Sequence, residues 1–262
     1  MVSWLKGLLR RIVPQRVYKT LVWLRYPDRF DLFHGPVTYN SDGIASRYAT
    51  GFRDEARFKK AVAAAATAMP PGKSKSADWT SHVVFWAAEV GRRLEGDFVE
   101  CGVHYGYTAR GIMEYVGFEN SGKTFWLCDT FSGLDAKQIS EKEKRDGVLE
   151  YLDEYDDFWA IAQRNFVGFS FVRLIRGPVP DTLPDVTAKK IAFLHLDMNC
   201  AAPSLAAAEY FWPKMSVGAV LLLDDYGSPI HDAQKEVFDG FARDHGVGLL
   251  CLPTGQGLII KA

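Results

Sequence analysis

Nowhere does this chain carry the roughly 18 to 20 successive apolar residues that a membrane-spanning helix needs, so no span is expected. Its first residues do not read as a secretory signal, because charges interrupt the apolar stretch and no small-residue cleavage site follows. Cysteine is scarce: Cys101, Cys128, Cys200 and Cys251 are widely spaced and form no CxxC pair, which argues against a zinc site. They read as buried free thiols of a reducing cytoplasm. A net charge of −1 lacks the basic surplus of a nucleic-acid binder, so no nucleic-acid partner is expected. There is no internal repeat either.

What is present is an ordinary globular composition, 48% hydrophobic over 262 residues, enough for one large domain or one domain with an appendage. Charge is uneven. The first thirty residues hold Lys6, Arg10, Arg11, Arg16, Lys19, Arg25 and Arg29 against Asp28 alone, and "MVSWLKGLLRRIV" spaces its apolar residues almost helically. Such a segment suits an anionic membrane surface, a partner subunit such as a second copy of the chain, or an amphipathic helix packed on its own domain. Residues 1–76 read as a helical accessory region ending at the breaker "PPGKSKS", and residues 77–262 as the main domain.

After Gly96 short apolar runs alternate with helical segments. The runs are "DFVECG" (97–102), "TFWLCD" (124–129), "FVRLIRG" (171–177), "IAFLHLD" (191–197) and "AVLLLDD" (219–225). Strand and helix in alternation predict an α/β, doubly wound, mostly parallel sheet covered on both faces, with ligands beyond the carboxyl ends of the strands. The segment "GVGLLCLPTGQGLIIKA" predicts a hairpin whose last strand runs antiparallel. A nucleotide-binding sheet that ends this way resembles the class I S-adenosylmethionine-dependent methyltransferases.

The strand ends carry the chemistry. "VECGVHYGYTA" offers Glu100, Gly102 and Gly106 in a G-x-x-x-G spacing, not the G-x-G-x-x-G of dinucleotide binders. The glycines suit close backbone approach to a ligand, and Glu100 suits an ammonium group; a structural strand-to-helix turn is the alternative. Asp129 can accept hydrogen bonds from the hydroxyls of a ribose, or cap the following segment. Asp197, Asp224 and Asp225 would converge at the sheet edge if their strands are neighbours. Such a cluster needs a counter-charge, which a hard cation such as Mg²⁺ supplies; Asp224 and Asp225 could instead cap a helix or bind a lysine.

The motifs "GDFVECGVHYGYTARGIMEY", "FWLCDTFSGLD", "RGPVPDTLP", "HLDMN" and "GAVLLLDDYG" resemble, in order, those of the macrocin O-methyltransferase (TylF/MycF-like) family, from about residue 42 onward. That resemblance implies a Mg²⁺-dependent transfer of methyl groups from S-adenosylmethionine to sugar hydroxyls of glycosides or natural products. It makes Glu100, Gly102, Gly106, Asp129 and Gly177 cofactor contacts and Asp197, Asp224 and Asp225 metal ligands. The family's H-x-D-x-D ends in a proposed base, and here that position is Asn199, which holds no proton at neutral pH. His231 is the leading substitute, with Asp232 and His104 behind it; His195, one step back from the strand tip, is expected to be buried. A small-molecule or glycan acceptor is expected, and a non-sugar diol or a binding protein that has lost catalysis are the alternatives.

Overall fold

Seven strands form one sheet in the order β5-β4-β3-β6-β7-β9-β8, and each owes its place to an apolar run. They are β3 (Asp97–Cys101), β4 (Phe125–Asp129), β5 (Val172–Arg176), β6 (Ile191–Leu196), β7 (Met215–Leu223), β8 (Leu249–Cys251) and β9 (Gly257–Ile260). Two short strands, β1 (Tyr39–Ser41) and β2 (Ile44–Ser46), precede them. The computed structural model describes residue 17 and residues 37–73, 78–146, 148 and 158–262. Apart from Val17 the basic amphipathic segment lies outside the described residues, and with it the expected membrane or partner contact. No helix among the described residues is long and apolar enough to cross a membrane.

The chain divides into two compact units, residues 1–39 with 45–49 and residues 40–44 with 50–262; everything below concerns the second. Its α-helices among the described residues are α1 (Ala56–Ala66), α2 (Asp78–Arg92), α3 (Tyr107–Val116), α4 (Glu141–Asp146), α5 (Phe158–Phe166), α6 (Ala201–Phe211) and α7 (Asp232–Asp244). The alanine run does what its propensity favours: it forms α1 and buries Phe58, Ala61 and Ala65 along one stripe. Small residues let α1 and α3 approach closely, for a methyl group on Gly111 would lie 3.3 Å from Ala65 and 2.6 Å from the Phe85 ring. Residues 56–66, assigned from the sequence to the accessory region, are thus packed into the same unit as the sheet.

Alternation along each strand sends side chains to two cores. Phe98, Leu127, Phe193, Val220 and Leu222 join Phe85, Ala88 and Ile112 of α2 and α3 on one face. Val99, Leu194, Leu196, Leu221 and Leu223 join Ala207, Phe211, Phe238 and Phe241 of α6 and α7 on the other. Strands β3 to β7 are parallel, whereas β9 runs antiparallel to both β7 and β8, as the terminal hairpin foretold. Strand β7 begins four residues earlier than its apolar run, passing through Gly218 at φ +84°. From β3 the chain goes outward through β4 and β5, then returns to β6 on the other side of β3, which opens a crevice at the carboxyl ends of β3 and β6.

Candidate active site

Backbone hydrogen bonds continue the sheet one residue past its strand ends. Gly177 N donates to Asp129 O (2.9 Å), Gly102 N to Cys128 O (2.9 Å), Asp197 N to Cys101 O (2.8 Å) and Asp224 N to Leu196 O (3.0 Å). Five positions picked out from sequence, Gly177, Asp129, Gly102, Asp197 and Asp224, therefore stand side by side along one edge. They line a cavity of about 710 Å³ together with Asn199 and Asp225, a size suited to a small-molecule site. Glu100, Gly106 and His231 do not line it.

Protein atoms alone already require each of these glycines. A methyl group on Gly102, at φ +90°, would fall 1.9 Å from the Asp197 carbonyl oxygen; one on Gly106 would meet the Phe166 ring at 2.5 Å, and one on Gly177 the Thr182 methyl at 2.6 Å. Asp129 likewise braces the turn. Its Oδ2 accepts from the amides of Val103 (2.6 Å) and His104 (2.8 Å), and its Oδ1 from the Phe131 amide (2.7 Å), while the Thr130 hydroxyl donates to Gly133 O (2.6 Å). A carboxylate has about four acceptor positions, and three of them are taken by these amides.

Glu100 departs from its expected role for a reason of register. It pairs with His195 on the neighbouring strand, both point to the same face, and Glu100 Oε1 lies 2.9 Å from His195 Nδ1 with both side chains buried. The pair sits beneath the edge instead of on the cavity wall. His195 Nε2 stands 3.9 Å from Asp224 Oδ1, longer than a hydrogen bond, and has no hydrogen-bond partner among the described residues. Burial works against the imidazolium, but Asp224 and Glu100 outweigh it and push the His195 pKa up to about 10.

Candidate ligand atoms of His195, Asp197 and Asp224 lie within 4.8 Å of one another, so the cluster that comes together contains His195 where Asp225 was expected. Asp225, one residue further round the bend after β7, has Oδ1 3.9 Å from His231 Nε2. His231 is buried, which lowers its pKa despite the charges of Glu143 and Asp224. Among the histidines considered as bases, His104 is the one on the cavity wall, in a left-handed conformation at φ +53° with its ring against Tyr105 and Phe158.

Asn199 also adopts φ +53°, a conformation asparagine tolerates better than most residues. The chain beyond it is anchored by Glu143, a residue not singled out from the sequence. Its Oε1 accepts the first amide of α6, Ala201 N (2.7 Å), while its Oε2 accepts Ser140 N (2.8 Å) and the Ser140 hydroxyl (2.7 Å). Gln138 of the same segment donates to Val179 O and accepts from the Cys200 thiol. The S-x-x-E spacing of Ser140 and Glu143 was the legible sign, a capping box.

This sheet order, with its reversed strand and its edge of acids, defines a class I O-methyltransferase fold. The profile of the macrocin O-methyltransferase (TylF) family matches residues 85–249, more than half of the chain, and the chain belongs to that family. It is 27% identical over 167 residues to a mycinamicin III 3''-O-methyltransferase of Micromonospora griseorubida, covering 59% of this chain and 63% of that protein. It is 29% identical over 164 residues to a demethyldecarbamoylnovobiocin O-methyltransferase of Streptomyces niveus, covering 56% and 60%. The chain thus spans less than two thirds of these relatives. The solved O-methyltransferase NovP superposes with a TM-score of 0.60 at 22% identity, over 70% of this chain and 79% of that one.

Proposed function

We propose that the protein transfers a methyl group from S-adenosylmethionine to a hydroxyl of a sugar or similar natural product, with a divalent cation such as Mg²⁺ held at the sheet edge. The observation that carries this reading is the meeting of Asp197 and Asp224 at the mouth of the crevice, beside the cavity and within the family match. The residues fit such a cation. Asp197 and Asp224 offer carboxylate oxygens within reach of one ion, the donors that a hard cation prefers. When bound, the cofactor supplies an electrophilic methyl group and the cation supplies Lewis acidity toward an acceptor oxygen.

The chain's own residues bind, orient and receive the proton. Asp197 and Asp224 would hold the cation, with Asp225 available from the same bend. Gly177, Asp129 and Gly102 form the wall of the cofactor half, Asp129 by keeping the turn after β3 closed. Asn199 can donate a hydrogen bond to the acceptor but cannot take its proton, a task for which His104 is suited by its place on the cavity wall.

The test is methyl transfer from S-adenosylmethionine to a panel of glycosides and catechol-like diols with added Mg²⁺. Asp197→Ala, or EDTA with the unaltered protein, is expected to abolish transfer, and undiminished turnover in either would overturn the metal reading. Asn199 also favours a second reading, a protein that keeps the fold without catalysis. Failure to bind either S-adenosylmethionine or Mg²⁺ in calorimetry would decide for it.

A further inference from the structure

The turn of the terminal hairpin reaches the proposed metal edge through one side chain. Leu223, the last residue of β7, pairs with Gly257 of β9, so the next residues outward, Asp224 and Gln256, stand opposite each other. Gln256 is fully buried. Its Nε2 donates to Asp224 Oδ1 at 3.1 Å and lies 3.5 Å from the Thr80 carbonyl, while its Oε1 accepts from the Thr254 hydroxyl at 2.8 Å. The network fixes the amide's orientation, since the reverse would set its oxygen against both a carboxylate and a carbonyl. The hairpin cannot slide. Gly227 N donates to Gly255 O (2.6 Å), and a methyl group on Gly257 would strike Tyr226 at 2.8 Å, so the turn is seated tightly on the Asp224–Tyr226 bend.

We infer that Gln256 is a positioning residue: by holding Asp224 through Oδ1 it fixes how that carboxylate is offered to a divalent cation. This rests on the reading of Asp224 as a metal carboxylate. A buried amide is costly unless its hydrogen bonds are made. Of those bonds, the one to Asp224 is the shortest that the amide nitrogen donates. Partners of this kind, which orient a ligand without touching the metal, commonly set affinity by a factor of about 10 to 100 when removed.

The experiment measures Mg²⁺, Mn²⁺ and S-adenosylmethionine dissociation constants by calorimetry on the full chain and two variants. Gln256→Met keeps the bulk and removes the amide. Thr254→Val leaves the buried side chain in place and removes only the hydroxyl that orients it, so a readable variant remains if the first does not fold. Both are expected to weaken cation binding, Gln256→Met by about tenfold or more, while S-adenosylmethionine affinity stays within about twofold. A general loosening of the fold would weaken both ligands together. Unaltered protein that binds cation no more tightly than the folded variants do would overturn this inference alone. Unaltered protein that binds no divalent cation would overturn the metal reading and this inference with it.

Discussion

Gly102 carries two constraints at once, a left-handed backbone and a contact with the Asp197 carbonyl that leaves no room for a side chain. Gly102→Ala should therefore cost at least about 2 kcal/mol, read as a lower urea midpoint, before any effect on ligands. Its place in the sequence reads as room for a ligand, and the structure adds a contact within the protein. G-x-x-x-G after a strand says that a side chain is unwelcome, but not whether a ligand or another strand occupies the space. Glu100 was legible as an acid at the strand end, but its partner His195 becomes visible only when β3 and β6 are set in register. Gln256 carried no signal at all, since one glutamine in a turn acquires a role only when the hairpin folds back over β7.

At the scale of elements, one side chain ends up serving two helices. Glu143 closes a capping box with Ser140 at the start of α4, and it also receives the first amide of α6. Burial opposes its charge, but the hydrogen bonds from Ser140 and Ala201 prevail and hold its pKa below the ordinary value. A depressed carboxylate stabilises the fold above its unfolded pKa, and that contribution fades as pH falls through the folded value. Glu143→Ala should thus cost about 1.5–3 kcal/mol near pH 7. The gap to the unaltered protein should narrow below about pH 4.3, as thermal melts at the two pH values would register. The strands were legible because buried parallel strands are continuous apolar runs bounded by polar breaks, as in "IAFLHLD". The link from α4 to α6 was not, because it joins residues 58 positions apart through an acid that resembles its surface neighbours.

For the whole molecule, the two-faced sheet decides the fate of its thiols. Cys101, Cys128 and Cys200 are buried, and Cys251 is exposed on β8, a correction to the expectation that all four are hidden. The Cys200 thiol is pushed up to about 12 by burial and by the charge of Glu143, so little reactive thiolate forms there. A thiol reagent at pH 8 should label Cys251 alone in the native protein and all four cysteines in denaturant, a difference that mass spectrometry of the labelled protein reads directly. The doubly wound order with its reversed strand was legible from periodicity and the hairpin. The face on which each strand-end residue lies was not, because it depends on strand neighbours far apart in the chain.

The bond from Gln256 toward Thr80 joins residues 176 positions apart, and Glu100 meets His195 across 95. Contacts of such separation must overcome a large loss of chain freedom before they return any stability, which makes them slow to form. Helices such as α1 and α3, built from neighbours in sequence, have no such delay. The acids at the sheet edge are consequently expected to gain their final geometry only when the domain has closed, so that the proposed cation site would be among the last features a folding chain acquires.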